Sequence, residues 1–392
     1  MMAVTPINVA FEEPVMNFGY RFLAVALMVL SSTCLCHSQD SPFELKSLPK
    51  PISVRALCVV ESKSEQDTVW VSGTEASVFR SNDSGNTWQS CGPAKGIPKD
   101  ADFRSIHAFD DQNAVVAVAG QPAVVLRTNN GGKSWTEVFR IASKDAFIDG
   151  IEFIDHKNGV LFGDPVDGRW TIATTRDAGA TWEMLPTEQL PPAMGGEAGF
   201  AASDTSMLVT NEFIMIGTGG RKSDQSTILR GRHNLADRSK PVHVTWQRTE
   251  CPLKSADRQG VFSIAAPSLA ATRLIAVGGD YRPETEDAST SVFSDDAGVT
   301  WKRIETGPRS FQSCVAIENA RDGRLHYVST GNDTSKESTI DVSTDGKTWR
   351  RIANPKGIVH PGFHVITIAR KFVYAVGANG QFARASKEAL FK

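Results

Sequence analysis

An all-β chain folded as one seven-bladed β-propeller is predicted by three marks that recur together along the 392 residues. The first is a turn of the form Ser/Thr-x-Asx-x-Gly-x-Ser/Thr-Trp. The second is a hydrophobic strand ending in Gly, and the third is a further strand that opens each unit. Four short strands per unit, repeating with a period in the forties, is the pattern of propeller blades.

The turn first reads Ser81-Asn82-Asp83-Ser84-Gly85-Asn86-Thr87-Trp88, and returns over 128–135, 175–182 and 294–301. A fifth copy, 343–349, is one residue shorter. In each, the side chain of Asp83, Asn130, Asp177, Asp296 or Asp345 is expected to fold onto the backbone two residues ahead. Gly supplies positive φ, and the hydroxyls satisfy turn amides. Trp88, Trp135, Trp182, Trp301 and Trp349 then open the next strand and bury a large ring over the turn. Trp246 marks a unit between Trp182 and Trp301 whose turn is degenerate and enlarged.

Seven strands end in Gly, at 69–73, 115–120, 159–164, 213–220, 274–280, 326–332 and 373–380. The strands that open the units are 53–60, 102–109, 147–153, 199–205, 261–267, 311–317 and 363–369. The predicted blades are 52–92, 102–142, 147–188, 199–253, 260–306, 310–354 and 362–386. The seventh has no turn and no Trp strand of its own. Residues 43–48 resemble the missing outer strand, so the N-terminal strand should complete the last blade and cover its open edge.

Residues 1–38 read as a leader and signal peptide. Phe22–Leu30 is an apolar run preceded by Arg21, too short for a transmembrane helix and suited to a signal core. Glu12 and Glu13 are unusual in such a leader, and Met16 offers a second start. Cleavage after Ser38 makes the mature chain, 39–392, an exported protein, periplasmic or extracellular. Nothing later is apolar enough to span a membrane. The net charge of -2 argues against nucleic-acid binding. Cys58, Cys91, Cys251 and Cys314 form no C-x-x-C, and no disulfide framework is expected. The histidines are scattered and no loop has EF-hand spacing, so neither a metal nor a cofactor is expected.

Blade topology predicts where a site belongs. The connections between second and third strands share one face with those between blades, here called the top. The Asx turns belong to the opposite rim, where their role is structural. Top-face loops carry Asp164, Glu197, Asp280 and Tyr281, with Glu284, Glu286 and Asp287 close by. Aligning the inner strands places Arg55, Arg104, Asp149, Ala201, Phe262, Gln312 and His364 in one column at the channel mouth. Arg55 and Arg104 on adjacent blades can grip one carboxylate or phosphate. Alternatively, Arg104 pairs with Asp149 on the next blade.

These tandem turns resemble the Asp-box (BNR) repeats of sialidases, sortilins and xyloglucan hydrolases. The mature chain is similar to the photosystem II stability/assembly-factor-like propellers, in particular their bacterial exported branch. The segments that carry this resemblance are 163–165, 196–203, 217–220 and 277–281. It implies a non-catalytic scaffold that binds a protein or peptide partner in assembly or stabilisation. The alternative is a carbohydrate-binding or sialidase-like glycoside hydrolase. Sialidases need three Arg around a carboxylate, whereas the column offers two. Opposed Asp164 and Asp280 would be the acid/base pair of that alternative.

Overall fold

The computed structural model describes residues 40–62, 66–92, 95–282 and 289–392. The predicted signal peptide and the loop residues Glu284, Glu286 and Asp287 lie outside the described residues. Within the described residues, 28 strands form seven four-stranded antiparallel sheets, the blades of a propeller. Six blades take their strands in chain order. Blade 1 is Val54–Val60, Thr68–Gly73, Ser77–Ser81 and Gln89–Ser90. Blade 7 takes Phe363–Ile368, Phe372–Gly377 and Gln381–Ser386, and its fourth strand is Glu44–Ser47.

That N-terminal strand pairs in register, Glu44 opposite Arg384 and Ser47 opposite Gln381. Phe43 and Leu48, buried at either end of it, anchor the strand to the core. Two contacts then join blade 7 to blade 1. The Tyr374 hydroxyl donates to Asp67 Oδ2 at 2.8 Å, and Trp88 stands edge-on to Phe382 at 5.1 Å. Ring closure uses both ends of the described chain.

The core lies between blades, and strand periodicity explains it. Along Ala114–Val118 of blade 2, successive side chains point to opposite faces of the sheet. Val116 and Val118 pack with Trp70 of blade 1, while Val115 and Ala117 pack with Ile148 and Leu161 of blade 3. A strand packed on both faces reads as a continuous apolar run. Each fully buried Val contributes about 1.5–3 kcal/mol.

The Asx turns hold the opposite rim. Ser81 Oγ accepts the Gly85 N–H at 2.8 Å, and Asp83 Oδ1 accepts the Thr87 N–H at 2.8 Å. The carboxylate thus reaches four residues ahead rather than the expected two. Consecutive positive φ at Ser84 (57°) and Gly85 (83°) turn the chain back beneath it. Asn130, Asp177 and Asp296 make the same bond to Ser134, Thr181 and Thr300. In the shortened copy, Asp345 accepts from Lys347 and Thr348. The turns also bond the first hairpin turn of their own blade, as Ser84 N–H does to the Asp67 carbonyl at 3.0 Å. Both turn types therefore share one face.

Among the described residues, Cys58, Cys91, Cys251 and Cys314 are all free. Among the described residues, no helix is long and apolar enough to cross a membrane.

Candidate functional site

The inner strands of six blades each carry one extra residue relative to their neighbour. The registers skip from Val54 to Ala56, Phe103 to Ser105, Ile148 to Gly150, Val261 to Ser263, Gln312 to Cys314 and Phe363 to Val365. Such a bulge re-aims the side chain it frees. The six freed residues are Arg55, Arg104, Asp149, Phe262, Ser313 and His364. All six line one top-face cavity of about 670 Å³.

Five of the six belong to the column read from sequence. In blade 6 the structure places Ser313 there, one position beyond Gln312. Gln312 is fully buried within its blade, its amide donating to Ser310 and Thr339. Matching Phe311 to Phe363 misleads the alignment. The glycine ending the second strand gives the true register, since Gly73, Gly163, Gly278, Gly331 and Gly377 pair with Val54, Ile148, Val261, Gln312 and Phe363.

Blade 4 departs from the repeat. Its inner strand is only Met207–Val209, not the expected 199–205. Residues 199–206 instead cross to other blades and floor the cavity. Arg104 Nη1 donates to the Ala201 carbonyl at 3.2 Å. Asp204 accepts the N–H groups of Ile106 and Ile151 at 3.0 and 3.1 Å. Ser203 donates to the Ser313 carbonyl at 2.8 Å, and Thr205 to Ser263 Oγ at 2.7 Å. One segment thereby ties blades 2, 3, 5 and 6. Gly199 permits its entry, because a Cβ there would stand 2.7 Å from Asp149 Oδ2.

The cavity has a basic side. Arg104 Nε donates to Asp102 Oδ2 at 2.9 Å, and Arg55 Nε lies 3.6 Å from the same oxygen without a hydrogen bond. Two guanidinium groups therefore share one carboxylate. Arg104 does not hydrogen-bond to Asp149, whose buried Oδ2 has no partner. Burial raises the Asp149 carboxyl well above its ordinary range, Asp164 adds to this, and Arg104 opposes it. Burial and repulsion from Arg55 and Arg104 push His364 down to about 4, which leaves it neutral at pH 7. This side therefore carries two fixed guanidinium cations against one shared carboxylate.

The top-face loop residues separate into two groups. Asp164 and Tyr281 line the cavity; Asp164 Oδ1 accepts the Gly199 N–H at 2.8 Å, and burial raises its carboxyl. Glu197 is tied up internally. It is 8% exposed and is bound by Arg248 through two nitrogens and by the Thr227 hydroxyl. Asp280 is bound by Arg258 and by the Arg282 N–H, and is not part of the cavity wall. Asp164 and Asp280 thus do not face each other across it. Sequence reading passed over Asp204, although its place in Ala202-Ser203-Asp204-Thr205, just before an apolar strand, is a turn signal.

A family model described as "Photosynthesis system II assembly factor YCF48" matches residues 41–144. No curated protein matches the chain. Among solved structures, the chain is similar to YCF48 bound to D1 peptide, with TM-score 0.58 and 15% identity over 89% of this chain and 98% of that one. It is similar to YCF48 from Cyanidioschyzon merolae, with TM-score 0.58 and 16% identity over 88% and 99%. It is also similar to an inactive virginiamycin B lyase from Staphylococcus aureus with quinupristin, with TM-score 0.57 and 13% identity over 88% and 99%. At these identities the likeness to the solved structures is one of fold, and the YCF48 family model adds a sequence match over blades 1 and 2.

Proposed function

We propose that this protein is an exported, non-catalytic propeller that binds an exposed peptide segment of a protein partner at its channel mouth, in assembly or stabilisation of that partner. The observation that carries the reading is the Arg55–Arg104 pair over the single Asp102 carboxylate, at the edge of a cavity of about 670 Å³. That volume accommodates a few residues of a peptide. The match to an assembly-factor model over blades 1 and 2 supports it, because those blades carry both arginines. The similar fold of YCF48 bound to D1 peptide supports this reading. Export rests on the apolar run Phe22–Leu30.

The test is affinity capture from the envelope fraction with the mature protein, beside a variant carrying Arg55→Glu and Arg104→Glu. A protein retained by the wild type and lost from the folded variant is expected. Recovery of bound or trimmed glycan with no protein would sink the reading.

A further inference from the structure

The channel mouth is two-sided. Opposite the arginines, the cavity is walled by aromatic rings. Phe200 and Phe262 stack at 3.9 Å with an interplanar angle of 16°. Phe311 meets Phe262 edge-on at 4.7 Å, and Tyr281 stands 6.2 Å from Phe262 and 6.5 Å from Phe311. Phe262 and Phe311 are nearly buried, whereas Tyr281 is 38% exposed, with the Arg282 guanidinium 5.5 Å from its ring centroid. All four line the same cavity as Arg55 and Arg104.

The repeat explains this placement. In a ring of seven blades, blade 5 faces the junction of blades 1 and 2. The bulge residue of blade 5 is Phe262, and those of blades 1 and 2 are Arg55 and Arg104. The same backbone device therefore aims an aromatic ring and two guanidinium groups at one space from opposite sides. Between them lie Ser313 and a neutral His364 on one arc and the carboxyls of Asp149 and Asp164 on the other, while a third cation, Arg282, lines the cavity beside Tyr281.

Resting on the peptide-binding reading above, we propose that the site selects a free C-terminal carboxylate accompanied by a large apolar side chain in one of the last two residues. The carboxylate is held by Arg55 and Arg104. The apolar side chain lies against Tyr281 and Phe200, where it leaves water and meets aromatic faces. A carboxylate without such a side chain leaves the aromatic wall wet. An apolar side chain without a carboxylate leaves Arg55 and Arg104 with the single Asp102 carboxylate between them, one negative charge for two cations.

Gly-Ser octapeptides that differ only at their ends provide the test, by isothermal titration calorimetry on the mature protein. One set carries Phe at the last or the penultimate position, one carries Ala at both, and each is made as free acid and as C-terminal amide. At least one Phe free acid is expected to bind about 10-fold or more tightly than the Ala free acid. Tyr281→Ala, on an exposed loop residue, should erase most of the difference between the Phe and Ala free acids. Equal binding of Phe and Ala free acids would overturn the aromatic assignment and leave the carboxylate reading standing. Amides binding as well as acids would overturn the role of the arginines, and no binding by any peptide would overturn both.

Discussion

Asp204 Oδ2 accepts the backbone N–H of Ile106 at 3.0 Å, a bond from the crossing segment of blade 4 to the inner strand of blade 2. Its other oxygen takes the Ile151 N–H of blade 3 at 3.1 Å. One carboxyl thus satisfies two backbone donors that the inner strands leave open at the channel. Asp204 itself has a φ of 63°, which turns the segment back toward its own blade.

Removing that carboxyl orphans both donors. Asp204→Ala is expected to cost about 2–6 kcal/mol, read from urea midpoints, because each buried unpaired N–H costs about 1–3 kcal/mol. Asp204→Asn retains one acceptor and should fall between Ala and wild type. A loss below about 1 kcal/mol for the Ala variant would show that the crossing segment is held by its other contacts.

Stability should also fall with rising pH. Burial pushes Asp204 up to about 8, against the lowering effect of the hydrogen bonds from the Ile151 and Ile106 N–H groups. Burial likewise pushes Glu152 up to about 8, while the Val209 N–H lowers it. In the unfolded chain such carboxyls titrate near ~4. The folded protein therefore keeps protons that the unfolded chain has released. This contribution is complete below about pH 4 and is lost as pH rises to about 8. Thermal melts across that window should show a declining Tm. Glu152→Gln, which keeps an acceptor for the Val209 N–H, should flatten the decline; an unchanged slope would remove Glu152 from the account.

The repeat was legible because its turns, its Gly-ended strands and its Trp spacing all follow from local chemistry. The ring arginines were legible for the same reason, each standing at one place in a recurring strand. Gln312 shows where that logic stops. A one-residue bulge changes the face of every side chain before it. Phe311 looked like Phe363, while only the paired glycines recorded the offset. The floor of the cavity was illegible for a different reason. Residues 199–206 leave the repeat and bond four distant blades, and contacts of that sequence separation have no local signature. Glu197 resembled a loop acid free to bind, yet Arg248, some fifty residues on, occupies it.

The rim turns make an internal comparison possible. Burial raises the Asp296 carboxyl, but hydrogen bonds from Thr300 and Ser294 together outweigh it and hold the carboxyl at about 2. Asn130 occupies the equivalent place, accepting the Ser134 N–H at 3.0 Å and donating to Ser134 Oγ at 2.8 Å. Asp296→Asn is therefore expected to cost less than about 1 kcal/mol at pH 7, and Asp296→Ala about 1–2 kcal/mol. The charge-dependent share is present above the unfolded value near ~4 and is lost as pH falls toward about 2. Urea midpoints of wild type and Asp296→Asn should converge in acid; divergence there would contradict the assignment.

The shortened turn of blade 6 has a packing consequence. In the full-length turns the glycine backs onto the preceding blade: Gly85 on Phe382, Gly132 on Cys91, Gly179 on Val115 and Gly298 on Met215. Gly346, with one residue fewer before it, backs onto Tyr327 of its own blade. Beside it, between blades 5 and 6, lies a cavity of about 210 Å³ lined in part by Ile275, Ile304, Tyr327 and Gly346. The missing residue is thus the one that elsewhere carries the turn across the junction. Inserting an alanine between Asp345 and Gly346 restores the length of the other copies. The insertion is expected to raise stability by about 1 kcal/mol, the usual scale for filling a cavity, seen as a higher urea midpoint at unchanged slope. A lower midpoint would mean that the side chains at this junction have repacked around the short turn, so that added length now displaces them.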